Sequence, residues 1–198
     1  MGLEPSCVAV FQDELTKLMP EDEEAKRLAK ATHHFAELLT GDGYEPPTLV
    51  SRRALAWGHC HHKATGGMQP EHKLLSAMGV EVEPVEGGCC GLAGSFGFEA
   101  GHYDISMVCG EQSLLPAVRG ASPQTVVLAD GFSCKKQIEH ATGRRALHVA
   151  ELLRLAQRGS LAEKPAPTAT QHAVRGTAAA AGALATAAGA VALARALR

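Results

Sequence analysis

Apolar positions recur at helical spacing near the amino terminus and again near residue 150, with strand-like and helical runs alternating between them. Val8, Phe11, Leu15 and Leu18 predict one face of a helix over residues 8–19. A second helix is expected after Pro20, opened by the acidic turn EDEE and carrying the stripe Leu28, Ala31, Phe35, Leu38 and Leu39. TGDGYEPP, residues 40–47, reads as a loop. TLVSRRALAWGHC predicts a strand or strand pair ending at Cys60, EHKLLSAMG a helix closed by Gly79, and VEVEPVE a short strand. HYDISMVCGEQSLLPAVRGA predicts a helix with Tyr103, Met107, Gly110, Leu114 and Val118 on one stripe. TVVLADG reads as a buried strand leading to Cys134, and RALHVAELLRLAQR as a final amphipathic helix. This alternation predicts an α/β fold, with a small, mainly parallel sheet flanked by helices.

Two departures from the alternation divide the chain. From residue 159 the composition turns to Ala, Gly, Thr and Pro, which reads as a flexible or loosely helical low-complexity tail over 159–198. As a membrane span that tail is weak, because Ala and Gly supply little transfer free energy. At the other end, LEPSCVAVFQDEL echoes DGFSCKKQIEH: a turn, Ser–Cys, then a helix. RLAKATHHFAELL likewise echoes GRRALHVAELLRLA, so Cys7 corresponds to Cys134. Residues 1–47 therefore read as the helical remnant of a preceding repeat and residues 48–158 as one complete unit. On this reading the chain is a fragment or truncated descendant of a longer protein.

The chemistry concentrates in four cysteines. Cys89 and Cys90 stand together between glycines in GGCCGLAGSFG, a poor pattern for a core and a suitable one for a metal centre. Cys60 in GHCHHKA and Cys134 in DGFSCKK complete a set of four thiols, enough for zinc or an iron–sulfur cluster. Each follows a predicted strand, and ligands gather at the carboxyl ends of parallel strands. His59, His61 and His62 flank Cys60; one of them replaces a ligand or hydrogen-bonds sulfur, or all three are surface histidines on a turn. Gly88, Gly91, Gly94 and Gly97 would let backbone approach the centre and offer N–H donors. Cys109 reads as a packed thiol and Cys7 as a free one, while Glu99, His102, Tyr103 and Asp104 cap the next helix or line a docking face, with capping the favoured role. A disulfide between Cys89 and Cys90 is a further, strained alternative.

Composition narrows the function classes. With a net charge of -2 and 4% aromatic residues, the 198-residue chain offers neither a basic surface nor a stacking platform for nucleic acid. No signal peptide precedes the fold, which points to reduced or metal-bound thiols and a cytoplasmic location, or one peripheral to the inner face of the membrane. No dinucleotide fingerprint and no acid–base or nucleophilic pair is present.

LEPSCVAVFQDEL, GHCHHKA, GGCCGLAGSFGFEAGHYDISM, LLPAVRGA, ADGFSCKKQI and TGRRALHVAELL together resemble the cysteine-rich CCG domain. That domain occurs in one subunit each of heterodisulfide reductase and anaerobic glycerol-3-phosphate dehydrogenase, in glycolate oxidase iron–sulfur subunits, and in FAD-linked oxidases similar to D-lactate and D-2-hydroxyglutarate dehydrogenases. The resemblance implies that Cys60, Cys89, Cys90 and Cys134 hold an iron–sulfur cluster such as 4Fe–4S, and that Gly88, Gly91, His59 and His61 shape its site. It departs from the pattern at one place: Gly131 stands where the family's terminal Cys–x–x–Cys has its first cysteine. The implied function is electron transfer from FAD, on a partner dehydrogenase or a missing domain, to a quinone or carrier protein. By itself the chain would not oxidise a hydroxy acid. The alternative is a zinc-bound or metal-free docking domain without redox activity.

Overall fold

The computed structural model describes residues 1–159 apart from 42 and 50; the tail expected over 160–198 lies outside the described residues. Three strands with a short fourth form one parallel sheet in the order β2-β1-β3-β4: β1 Arg52–Trp57, β2 Val80–Val85, β3 Val126–Ala129 and β4 Ala146–Leu147. Each pairing is parallel, with Leu55 opposite Glu83 and Val127, and Leu128 opposite Leu147. The fold is the expected α/β arrangement.

Alternation along β1 sends successive residues to opposite faces, and both faces are covered. Ala54 and Ala56 lie with Val80, Leu128 and Leu147 under α4 Phe35–Gly41, α6 Gln69–Ala77 and α10 Val149–Gln157. Leu55 and Trp57 lie with Val127, Ala129 and Ala146 under α8 Leu114–Gly120 and α9 Phe132–Thr142. Cys90, Leu92 and Cys134 belong to this second core, so the cysteine loop is anchored in one face of the sheet.

Several helices break where periodicity alone runs on. The first is α1 Pro5–Ala9 and α2 Leu15–Leu18, joined by a π-helical turn at Val10–Glu14. Only its first turn reaches the core: Val8 is buried, but Phe11 is 43% and Leu18 78% exposed. The second predicted helix is two, α3 Glu23–Ala31 and α4, because Thr32 is extended and Glu37 turns back to accept from the His34 N–H. The helix expected across residues 102–121 also divides, into α7 Tyr103–Glu111 and α8, the latter starting after Ser113. Gly79 closes α6 in the left-handed conformation, as its position predicts.

The two echoing segments share local features. Cys7 and Cys134 are each the third residue of their helices. His34–Leu39 and His148–Leu153 also align: Glu37 accepts from the His34 N–H at 3.1 Å, and Glu151 from the His148 N–H at 2.8 Å. An isolated parallel bridge joins Gly2 to His34, ahead of α4, as β3 pairs in parallel with β4 ahead of α10. The amino-terminal segment shares the core through Val8 and Ala36, and the described residues lie in one compact unit. Among the described residues no helix is long and apolar enough to cross a membrane.

Candidate metal centre

Parallel β1, β2 and β3 deliver their following loops to one end of the sheet. Cys60 opens α5 Cys60–Thr65, three residues after β1. Cys89 and Cys90 lie in the loop after β2, and Cys134 in the first turn of α9 after β3. The thiols neighbour one another in a row, each within interacting reach of the next: Cys60 and Cys89, Cys89 and Cys90, Cys90 and Cys134. Cys60 and Cys89 are part-exposed while Cys90 and Cys134 are buried, so the row runs inward from the surface.

Local packing fixes the row. Lys63 of α5 donates to the Gly87 carbonyl and lies 4.6 Å from the centre of the Trp57 ring, pinning the loop before the cysteines. After them, the Gly94 N–H donates to Ser133 Oγ at 2.9 Å, joining the loop to α9. Gly91 has φ +93°, and a Cβ there would lie 2.0 Å from the Ser106 carbonyl oxygen. A Cβ on Gly97 would lie 2.2 Å from Ser106 Oγ. Gln137 of α9 donates to the same hydroxyl at 3.0 Å. Buried Ser106 and Gln137 thus join α7, α9 and the loop. No cysteine-centred pattern in the sequence singles them out, because their role is visible only once the glycines bring the backbones together.

Gly91 also supplies an N–H to Cys89 Sγ at 3.3 Å. Gly88 differs: nothing lies within 4 Å of a Cβ placed on it, so close approach does not require glycine there. His59 caps α5, its Nδ1 accepting from the His61 N–H at 3.2 Å. His59, Cys60 and His61 bring one ligand atom each within 4.8 Å of one another. His62 turns the other way, buried against His34 with ring centres 3.6 Å apart and 3.5 Å from Glu71. The expected capping by Glu99, His102, Tyr103 and Asp104 is not found: His102 holds the cap position of α7 without a side-chain cap bond. Tyr103 instead bonds His140 at 3.0 Å. Cys109 is half-buried and Cys7 exposed.

The electrostatics suit a cation. Its hydrogen bond to Cys134, with burial adding to the effect, pushes the Cys90 thiol up to about 12. Cys89 is also raised, by Cys90 and then burial, and Cys60 by burial and then Cys89. Without a metal ion these thiols stay protonated at neutral pH, so metal binding would release their protons. Protonated thiols are also poor nucleophiles, which weighs against the Cys89–Cys90 exchange alternative.

Sequence reasoning also missed a buried polar group behind α5. Burial holds His62 down to about 4 and raises Glu71 to about 8, leaving both neutral near pH 7. A cleft of about 830 Å³ lies beside it, lined in part by His34, His62 and Lys30, and none of the four thiols lines it.

No family model matches the chain, and no solved structure matches it. Curated relatives align with it, among them the following three. D-2-hydroxyglutarate dehydrogenase of Escherichia coli (strain K12) is 27% identical over 156 residues, 77% of this chain and 15% of the relative. D-2-hydroxyglutarate dehydrogenase of Pantoea ananatis is 31% identical over 162 residues, again 77% of this chain and 15% of the relative. One subunit of the anaerobic glycerol-3-phosphate dehydrogenase of E. coli (strain K12) is 27% identical over 153 residues, 75% of this chain and 38% of the relative. The chain is thus similar to part of dehydrogenases of two kinds, and spans about 15% of the length of the D-2-hydroxyglutarate dehydrogenases it matches.

Proposed function

We propose that this chain is an iron–sulfur electron-transfer module of an FAD-linked 2-hydroxy-acid oxidoreductase. Cys60, Cys89, Cys90 and Cys134 would hold the centre, with Gly88, Gly91, His59 and His61 around it. The observation that carries this reading is the continuous row of four thiols from three strand ends. The donor set fits the group: four soft sulfur ligands, with a backbone N–H already directed at Cys89 Sγ. A bound cluster would supply one-electron chemistry. The chain's part is to set its potential through burial and N–H···S bonds, and to keep one end of the row near solvent.

The row also bears on the zinc alternative. Tetrahedral zinc with Zn–S bonds of about 2.3 Å draws its four sulfurs to about 3.8 Å from one another. Among the described residues, the compact group within 4.8 Å is His59, Cys60 and His61, not the thiols. Thiols that do not all lie that close together suit a centre of several atoms better than a single ion. Zinc remains the second reading because Gly131 leaves four cysteines where the family pattern has five.

The similarity to the dehydrogenases supports an FAD-bearing dehydrogenase domain or subunit as electron donor, with a quinone or carrier protein as acceptor. The test is direct. Protein purified without oxygen should lose its visible absorption when mixed with chemically reduced flavin and regain it on addition of a quinone. Colourless zinc protein, or iron that reduced flavin leaves unchanged, would overturn the reading.

A further inference from the structure

Gly131 is three residues before Cys134 and caps α9. In a Cys–x–x–Cys pattern the side chain at this position would join the thiol at Cys134. Here the space is taken. A Cβ on Gly131 would lie 2.1 Å from Cδ2 of His59 and 3.1 Å from its Nε2. The imidazole edge of His59 therefore stands where a fifth cysteine would begin. His59 is 7% exposed, and one of its nitrogens belongs to the compact group with Cys60.

The hydrogen bonding of the ring decides what it can do there. Nδ1 accepts the His61 N–H, so Nδ1 carries no proton. A neutral imidazole then has its proton on Nε2, and Nε2 has no lone pair to offer a metal. Ligation through Nε2 would require Nδ1–H to face the His61 N–H, donor against donor. Glu4 does not absorb the Nε2 proton: its Oε1 is 4.0 Å away and takes the Ser6 hydroxyl at 2.7 Å. Its Oε2 takes the Phe132 N–H at 2.7 Å.

We infer that His59 fills the fifth position as an Nε2–H donor to sulfur of the bound centre, so that four thiolates and one N–H replace five thiolates. This rests on the iron–sulfur reading above. Removing one thiolate charge and adding a donor both favour the reduced state, so the device raises the reduction potential. It also accounts for Gly131: with His59 in this place, position 131 has room only for glycine.

The experiment uses the anaerobically purified full chain, wild type, His59→Ala and His59→Gln. Iron and sulfide are measured with the potential, and pulsed EPR is recorded on protein carrying ¹⁵N-histidine. The expected result is equal iron in all three proteins and a lower potential in His59→Ala. His59→Gln, which keeps an N–H donor, should recover part of the difference. The nitrogen coupling should be weak and lost in His59→Ala. A strong coupling typical of a bound imidazole, or iron lost in His59→Ala, would make His59 a ligand and overturn the donor role. An unchanged potential in His59→Ala, with iron retained, would overturn it too while leaving the iron–sulfur reading intact. Wild-type protein without iron would overturn both.

Discussion

Replacing Gly91 by alanine should break the joint between the cysteine loop and α7. Two costs add at this position. The backbone has φ +93°, where an L side chain costs about 1–2 kcal/mol. The new methyl would also sit 2.0 Å from the Ser106 carbonyl oxygen, a backbone atom held within α7. Overpacking of this kind costs about 1–3 kcal/mol. Together they give about 2–5 kcal/mol, against a total stability of about 5–15 kcal/mol for a domain. Gly88→Ala is the internal control, since it meets nothing within 4 Å and should change stability by less than about 0.5 kcal/mol. Urea unfolding followed by far-UV circular dichroism measures both. A Gly91→Ala penalty below about 1 kcal/mol, or equal to that of Gly88→Ala, would refute the packing argument.

Glu71→Gln tests the buried polar group. Glu71 is raised from 4.5 to about 8, so between those values the folded chain holds a proton the unfolded chain has lost. Wild-type stability therefore falls as pH rises through that window, and the variant escapes the loss. The stability of Glu71→Gln relative to wild type should rise by up to about 4 kcal/mol between pH 5 and pH 9; a pH-independent difference would contradict the assignment. His62 works in the opposite sense, its contribution being lost as pH falls from 6.5 towards about 4. Arg144 donates to the carbonyls of Val118, Ala121 and Thr125, tying the end of α8 to β3. Arg144→Ala should cost about 2–3 kcal/mol in urea unfolding, and Arg144→Lys should recover less than half because it lacks the planar fork. Full recovery by lysine would show that charge alone matters there.

The strands and the convergence of their loops were legible because β3 and the last four residues of β1 are apolar and mostly buried on both faces, a pattern that survives without tertiary information. The helix breaks were not. Glu37 ending one helix path by capping His34 requires knowing which acid turns back, and Glu23 and Glu24 sit in equally plausible places. The exposed Phe11 and Leu18 show the limit of periodicity: it finds a face without saying what covers it. At the centre, the thiols stood out by residue type. The roles of Ser106, Gln137 and Gly131 depend on approaches between segments far apart in sequence, which composition and spacing do not encode.

The central claim is that four thiols hold a redox centre. The most direct measurement is iron, zinc and acid-labile sulfide in anaerobically purified protein, wild type beside Cys90→Ser. The account predicts iron and sulfide in the wild type, with visible absorption, and their loss in Cys90→Ser, which removes the buried link between Cys89 and Cys134. Zinc without sulfide, or a folded wild-type protein with no metal, would contradict it.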